Sequence, residues 1–374
     1  MEAEAEAGHT SFFEDAIRVT SIDSHSYSAI VRPDWCIGPV PLGGYTTSIL
    51  YRATSVHFKT THGSRYKSSP PEPTTLYISF LNRAVVGPAV IQVQDVKLAG
   101  RISTVHLTLS QLKDEFRSAL SASATAESDV AFLVQNQDKL EVKQVAYITA
   151  SPPETETGPS VTGPWGLHPP PPPGSQADGS VDFPALARNS RDGEWSRYVY
   201  PAWASALAQL EIYSHGPPVA AASTGATVAT RAQRQVDQWV RFKPGGKLGR
   251  WTNEAVILLL DIYPVATDRM AALELSRLSS LGRVRDTSIE TLPVEDLFRV
   301  PTITMTIDLR TRLPPAGVEW LYTRVTNRMI RGGRGDVDLV AVDQEGELIA
   351  LCTQTALVVD VARRFGRQPS EEKL

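Results

Sequence analysis

A proline-rich segment near the middle of the chain constrains the fold more than any other feature. Residues 151–185 read SPPETETGPSVTGPWGLHPPPPPGSQADGSVDFPA and contain the five consecutive prolines Pro169–Pro173. Proline has a fixed φ and no backbone N–H, so the five-proline run can form neither a helix nor a central strand. We therefore predict a linker or long surface loop that separates an N-terminal domain, 1–150, from a C-terminal domain, 186–374.

The composition is that of a globular protein and excludes several classes. Of the 374 residues, 42% are hydrophobic and 21% are charged, which is enough for a sizeable core. The net charge of −4 gives no indication of a nucleic-acid partner. Cys36 and Cys352 have no zinc-like or CxxC spacing, so we expect neither a metal site nor a disulfide framework. His57 and His62 are interpreted as two surface histidines.

Targeting and membrane signals are weak. No apolar run reaches the roughly 18–20 residues that span a bilayer, so no membrane span is expected. The first residues are acidic and lack the apolar region of a signal peptide. We expect a cytoplasmic protein. The last residues, EKL, differ from the peroxisomal signal SKL at the first position, which leaves peroxisomal import as the alternative.

The two halves show the same order of elements. In the first half, a strand pattern and a Gly-Gly turn precede a helical pattern, and strand patterns follow it at 75–84, 89–101 and 102–114. In the second half, a strand at 236–245 precedes a buried helix at 251–263, and strands follow at 302–313, 319–330, 336–344 and 348–359. Residues 266–300 are then an insertion. This order predicts an α+β fold in which an antiparallel sheet curves around a central helix in each half.

The stretch AVILLLDIYP, residues 255–264, places Asp261 within an apolar helical pattern. Burying an ionised carboxylate is costly unless it is paired or hydrogen-bonded. From the residues alone, two interpretations stay open. Asp261 either reaches solvent or caps a neighbour at the helix end, or it has a functional role.

Several stretches, in order, resemble one known family. They are PLGGYTTSILYRA (41–53), LYISFLNRAVVGPAVIQVQDVKLAGRISTVHLTLSQ (76–111), WVRF (239–242), AVILLLDIYPVA (255–266), EWLYTRV and LIALCTQTALVV. Together they are similar to the double-hotdog acyl-CoA thioesterases, including bacterial acyl-CoA thioesterase II and fungal thioesterase-like proteins. The resemblance implies a double hotdog, with two tandem antiparallel sheets each wrapped around a central helix.

The resemblance also implies a catalytic set in the second half. It consists of the carboxylate of Asp261, the hydroxyl of Thr304 and the amide of Gln354. Gly43 and Gly44 are candidates for close approach to the substrate, although a simple turn into the helix is the favoured interpretation.

The choice of hydroxyl stays open in the sequence. Period-2 alternation predicts that Thr302, Thr304, Thr306 and Asp308 share one face of their strand, so Thr302 or Thr306 could replace Thr304. We also assign Thr306 to substrate binding. Gln111 is taken as the counterpart of Gln354 in the first half, whose helix carries no acidic residue, so one active site per chain is expected.

The implied activity is hydrolysis of an acyl-CoA to free acid and CoA, by a water that Asp/Thr/Gln side chains activate. No cofactor is needed. Two alternatives stay open: a biosynthetic hotdog enzyme that releases, transfers or cyclises a carrier-bound acyl or polyketide chain, and a non-catalytic acyl-CoA-binding protein. A monomer is allowed, and a homo-oligomer is equally compatible with exposed sheet edges.

Overall fold

The computed structural model describes residues 12–66, 69–119, 126–159, 165–216, 235–267 and 300–358. Most of the predicted insertion, residues 268–299, lies outside this part of the chain.

The described residues form many strands and few helices. The first-half strands are β1 Val19–Ser21, β2 Ser26–Val31, β3 Cys36–Ile37, β4 Val40–Pro41, β5 Glu72–Phe80, β6 Gly87–Lys97, β7 Ser103–Leu112 and β8 Leu140–Ser151. The later strands are β9 Arg191–Asp192, β10 Trp195–Arg197, β11 Leu210–His215, β12 Gln235–Phe242, β13 Thr302–Leu309, β14 Trp320–Thr326, β15 Ile330–Arg331, β16 Arg334–Val342 and β17 Leu348–Leu357. The helices are α1 Phe12–Ala16, α2 Gly43–Thr60, α3 Ala126–Gln135, α4 Phe183–Asn189 and α5 Asn253–Leu259.

The strands show the predicted repetition in their spatial order. The main sheet runs β1-β2-β6-β7-β8-β5-β13-β17-β16-β14-β12-β11-β10-β9, with β15 beside β16 and every pair antiparallel. The order β2-β6-β7-β8-β5 in the first half matches β12-β14-β16-β17-β13 in the second. The strands β8 and β11 had not been predicted.

The two halves share one continuous sheet because β5 pairs with β13, where Ile78 lies opposite Met305. This pairing replaces the two separate sheets that were expected. It also removes an exposed edge from each half, and unpaired edges favour aggregation.

Two helices pack antiparallel inside the curved sheet. Helix α2 is buried on most of its surface, and its buried hydroxyls are satisfied within the helix, as Thr47 and Thr54 donate to the carbonyl oxygens of Gly43 and Leu50 at 2.8 and 2.9 Å. Helix α5 is short, and every residue from Ala255 to Leu259 is buried. One hydrophobic cluster includes both helices and the inner faces of strands from both halves.

The predicted linker packs against the second half. We call residues 165–182 the proline strap. Arg324 on β14 donates to the carbonyl oxygen of Pro169, and Trp195 Nε1 donates to that of Pro173 at 3.2 Å. Val181 belongs to an aromatic-rich cluster on the outer face of the second-half sheet, with Trp239 and other residues. The strap therefore covers an apolar surface that would otherwise face solvent.

Candidate active site

Asp261 lies just beyond the end of α5 and points at the beginning of α2. Its side chain is 8% exposed, and its Oδ2 accepts a hydrogen bond from the Gly44 N–H at 2.7 Å. The first N–H groups of a helix have no partner within the helix and carry the positive end of its dipole. The apolar helix thus tolerates this carboxylate because the other half of the chain supplies a donor for it.

Gly43 and Gly44 are the first residues of α2 and do not form the separate turn that was favoured from the sequence. A Cβ on Gly44 would lie 2.7 Å from Asp261 Cβ and 3.0 Å from the carbonyl oxygens of Ile257 and Leu258. A Cβ on Gly43 would lie 3.0 Å from Asp261 Oδ2. Glycine is needed here because the two helices approach this closely.

Gln354 on β17 is fully buried and held by several hydrogen bonds. Its Nε2 donates to the Leu260 carbonyl oxygen at 2.9 Å. Its Oε1 accepts from Thr302 Oγ1 at 2.9 Å and from the Tyr263 hydroxyl at 3.2 Å. These contacts define which end of the amide donates and which accepts. They bring the predicted glutamine beside the predicted carboxylate.

The environment of Asp261 makes it a stronger base than an exposed aspartate. Burial raises the pKa of Asp261 from 3.8 to about 6. The N–H groups of Gly44 and Gly43 and the nearby Gln354 amide act in the opposite direction and favour the charged form. At neutral pH the carboxylate is therefore ionised, and it accepts a proton more readily than an exposed aspartate does.

The position of Thr304 differs from the prediction. Its side chain is exposed, and it lies opposite Thr355 and Ser79 on the outer face of the sheet. Met305, its neighbour, faces inward and lies opposite Gln354. The Thr304 hydroxyl is thus on the other side of the sheet from the Gln354 amide.

A β-bulge explains this correction. The register between β13 and β17 shifts between Thr302 and Thr304. An extra residue in a strand breaks the period-2 alternation, so Thr302 turns inward to Gln354, whereas Thr304 and Thr306 stay on the outer face, with Thr306 opposite the exposed Thr353. The expectation that the three threonines share one face is wrong.

Tyr263 is a candidate site residue that was not predicted from the sequence. Tyr263 is 7% exposed, and its hydroxyl donates to Gln354. Burial is the larger cause of the raised pKa of Tyr263, and the nearby charge of Asp261 raises that pKa further. Its signal in the sequence was its position two residues after Asp261.

The first half contains the same bulge with different residues. The register of β5 against β8 shifts between Pro73 and Thr75, which places Pro73 where Thr302 stands in the second half. Ile148 lies opposite Leu76, as Gln354 lies opposite Met305. The first half therefore has apolar side chains at the positions of Thr302 and Gln354.

Gln111 is not the counterpart of Gln354. It lies on β7, one strand further along the sheet, and its side chain accepts from the Val85 N–H and donates to the Val85 and Pro88 carbonyl oxygens. Its polar atoms are thus used to hold the loop before β6.

His57 and His62 are not the two surface histidines that were predicted. His57 is fully buried, and both contact Asp95 at the far end of α2 from Asp261.

Within the described residues, no helix has the length and apolar character to cross a membrane.

Comparison with known families places this geometry in context. The family model described as the acyl-CoA thioesterase C-terminal domain matches residues 177–358, and the model of the N-terminal domain matches residues 31–126. The chain belongs to the acyl-CoA thioesterase family. The C-terminal match includes Asp261, Thr302 and Gln354, whereas Gly44 falls within the N-terminal match.

Members and neighbours of this thioesterase family align with nearly the whole chain. The thioesterase-like protein TwmA of Talaromyces wortmannii is 29% identical over 98% of this chain and 97% of its own length. A putative thioesterase II from Thermobifida fusca aligns with a TM-score of 0.58 at 17% identity, covering 93% of this chain and 97% of that one. A protein with a hot dog fold from Alicyclobacillus acidocaldarius gives 0.57 at 17% identity, covering 94% and 99%. At these identities the solved structures show the shared fold alone.

Proposed function

We propose that this protein hydrolyses an acyl-CoA thioester to the free acid and CoA, at a site formed by Asp261, Gln354 and Thr302. In this proposal the chain is a double hotdog with domains 1–150 and 186–374, and the second domain carries the catalytic side chains. The observation that supports it most strongly is the buried Asp261 carboxylate, which has a raised pKa and lies between the first turn of α2 and the Gln354 amide. A carboxylate in such a setting suits general base catalysis.

Asp261 acts on water in the proposed reaction. The carboxylate accepts a proton from a water molecule while the water oxygen forms a bond to the thioester carbonyl carbon. The carbon–sulfur bond of the tetrahedral intermediate then breaks, and the proton passes from Asp261 to the departing CoA sulfur. The partial positive charge at the start of α2 favours the negative charge that develops on the carbonyl oxygen.

Gln354 and Thr302 act by positioning. The Gln354 amide is held by the Thr302 hydroxyl, the Tyr263 hydroxyl and the Leu260 carbonyl oxygen, so it loses little freedom when substrate binds. A preorganised amide beside the carboxylate orients both the carboxylate and its water. Thr302 thus takes the role that the resemblance gave to Thr304.

Gly43 and Gly44 contribute because their backbone lies close to Asp261. Because Gly43 and Gly44 lack side chains, α2 can begin directly against Asp261, and the Gly44 N–H helps to keep the carboxylate ionised at neutral pH. We propose that the Gly43 backbone, next to Asp261 Oδ2 and the Phe80 ring, also contacts the bound thioester.

Release of free thiol tests this proposal. Wild type and Asp261→Asn are incubated with CoA thioesters of short, medium and long acyl chains and with an acyl group on a carrier protein. Since general base catalysis contributes about 10²–10⁴-fold, kcat is expected to fall at least about 100-fold in Asp261→Asn. The matched control is Asp308→Asn, because Asp308 lies on the exposed end of β13 in an ion pair with Arg310; its kcat is expected to stay within about twofold of wild type.

Three outcomes would contradict the proposal. Wild-type rates in Asp261→Asn would remove the assigned base. Release from the carrier-bound thioester alone would favour the biosynthetic alternative. Binding of CoA thioesters without release from any substrate would favour an acyl-CoA-binding protein.

A further inference from the structure

Four potential metal ligands meet at the end of α2 that lies away from Asp261. They are His57 near the end of the helix, His62 just beyond it, His25 before β2 and Asp95 on β6. Since an α-helix rises about 1.5 Å per residue, His57 lies about 20 Å from the Gly44 end of α2. The cluster is thus separate from the candidate active site, and nothing in the hydrolysis mechanism uses it.

The three histidines point the same atom toward one carboxylate. Nε2 of His57 lies 3.0 Å from Asp95 Oδ1, and Nε2 of His62 and of His25 lie 2.9 and 3.1 Å from Asp95 Oδ2. One ligand atom from each of the four residues lies within 4.8 Å of the others.

The Nδ1 atoms of His57 and His25 are held by the surrounding protein. The Tyr27 hydroxyl lies 2.9 Å from His57 Nδ1, and Ser24 Oγ lies 2.9 Å from His25 Nδ1. Such outer contacts fix the tautomer and ring orientation of metal-binding histidines. When Nδ1 carries the proton and donates to these oxygens, Nε2 of His57 and of His25 is left with a free lone pair directed at the centre of the cluster.

The backbone also holds His25 in place. Asp23 Oδ1 accepts from the N–H groups of His25 and Ser26 at 2.8 Å each, and the His25 carbonyl oxygen accepts from the Val93 N–H on β6. His25 therefore does not depend on its contact with Asp95 for its position, although its side chain is 44% exposed.

Charge balance within the protein does not require three histidines. A single carboxylate neutralises one imidazolium, and a second or third positive ring would repel the first at ring separations of 5.1 Å for His25–His57 and 4.9 Å for His57–His62. Three neutral imidazoles and one carboxylate instead form a ligand set suited to a divalent transition metal.

We propose that His25, His57, His62 and Asp95 bind one zinc-class divalent cation, through the three Nε2 atoms and one carboxylate oxygen. Zinc bonds to nitrogen and oxygen are about 2.0–2.2 Å long, so tetrahedral ligands lie about 3.4 Å apart. On zinc binding, the two most separated ligand atoms must therefore approach each other by up to about 1.4 Å. Rotation of the exposed His25 side chain can supply this movement. Entry is open on the His25 side.

The bound cation would act structurally by joining three parts of the first half: the loop before β2, the end of α2 and strand β6. Four protein ligands complete a tetrahedral site, and closed zinc sites of this kind contribute to folding stability. This inference does not depend on the proposed hydrolase activity.

Metal titration of the full chain tests the inference. Protein freed of metal by dialysis against a chelator is titrated calorimetrically with ZnCl₂, and its Tm is followed in parallel. We expect one Zn²⁺ per chain and a Tm that rises with zinc concentration. The d–d absorption of Co²⁺ bound in place of zinc should show four-coordinate geometry.

Two ligand variants and a control locate the binding. In His25→Ala and His62→Ala, zinc affinity is expected to fall at least about 100-fold, since loss of an outer contact alone costs about 10–100-fold. His106→Ala is the matched control, because His106 on β7 packs against the Tyr147 ring outside the cluster, and it should bind zinc as wild type does. Absence of stoichiometric binding, or equal affinity in wild type and both ligand variants, would overturn the proposal.

Discussion

At the residue scale, Asp261 shows how a position that is costly for stability can serve chemistry. A buried carboxylate needs donors, and the Gly44 N–H of the first half supplies one, with the Gln354 amide of the second half nearby. The sequence was sufficient to single out Asp261 and Gln354, because a carboxylate in an apolar run and a resemblance to known site residues are both visible there. The donor from Gly44 was not predictable, since it depends on how the two helices pack.

The choice of hydroxyl could not be predicted from alternation, because a β-bulge adds a residue without any clear mark in the sequence. Thr302→Val removes the hydroxyl that donates to Gln354 Oε1 but keeps the side-chain shape. Losing one buried hydrogen bond costs about 1–3 kcal/mol, so kcat is expected to fall about 10-fold. Steady-state kinetics of Thr304→Val provide the control, with no change expected. A decrease in kcat in Thr304→Val, without one in Thr302→Val, would restore the original assignment.

Asp261 is also expected to lower the stability of the native state near neutral pH. Its pKa rises from 3.8 to about 6 on folding, so the native state binds a proton more tightly than the unfolded state, and stability falls as pH rises through this range. Asp261→Asn should therefore increase the free energy of unfolding by about 1–3 kcal/mol above pH 6. Denaturant unfolding at pH 7.5 and at pH 4 checks this. A variant less stable than wild type at both pH values would contradict it.

At the scale of elements, the contact between α2 and α5 determines the site. The Gly-Gly pair before a helical pattern was visible in the sequence, and the helix was predicted at 45–58 against an observed Gly43–Thr60. In the second half, the ends of β12, β13, β14, β16 and β17 were predicted within about four residues, whereas β11 was missed. The local periodicity of apolar residues is enough to predict these helix and strand boundaries. The approach of two helices from different halves is a tertiary property, so it could not be predicted from the sequence.

Gly44→Ala tests the importance of this helix contact. Alanine favours a helix by about 1 kcal/mol over glycine, but its Cβ would lie 2.7 Å from Asp261 Cβ and 3.0 Å from two α5 carbonyl oxygens. The clash should outweigh the gain, lowering the Tm, and kcat should fall with it because Asp261 is displaced. In the control Gly100→Ala, the added methyl group meets nothing within 4 Å. A Gly44→Ala protein with wild-type Tm and kcat would show that the contact tolerates a side chain.

At the scale of the whole molecule, one sheet carries two halves with the same strand order. The duplication was predictable from the order of strand and helix patterns. The joining of both halves through β5 and β13 was not, because edge pairing depends on which edges face each other. The first half has the apolar residues Pro73 and Ile148 at the positions of Thr302 and Gln354, so it has no counterpart of the proposed catalytic set.

The proline strap gives the second half a covered outer face, and Arg324 is one of its polar anchors, besides Asp192. Arg324 is 5% exposed, bonds Asp237 at 2.7 Å and donates to the Pro169 carbonyl oxygen. Arg324→Met would leave Asp237 buried without its charge partner, at an expected cost of about 3–5 kcal/mol. The control Arg310→Met breaks an ion pair with a 52% exposed arginine and should cost under about 1 kcal/mol.

Unfolding measurements and limited proteolysis of the strap distinguish the two variants. Faster cleavage within residues 165–182 is expected in Arg324→Met. Since Arg324 faces away from Gln354, kcat at low temperature should be unchanged. Equal stability of the two arginine variants would mean that the strap does not depend on this anchor.

The pH dependence of kcat/KM tests the central claim most directly, because it reports the ionisation of essential groups in the free enzyme. With Asp261 as the base, wild-type kcat/KM for a CoA thioester should decline about tenfold for each pH unit below a midpoint of about 6. The residual rate of Asp261→Asn should show no such decline. A midpoint near 4, or the same acid limb in both proteins, would contradict the assignment of Asp261.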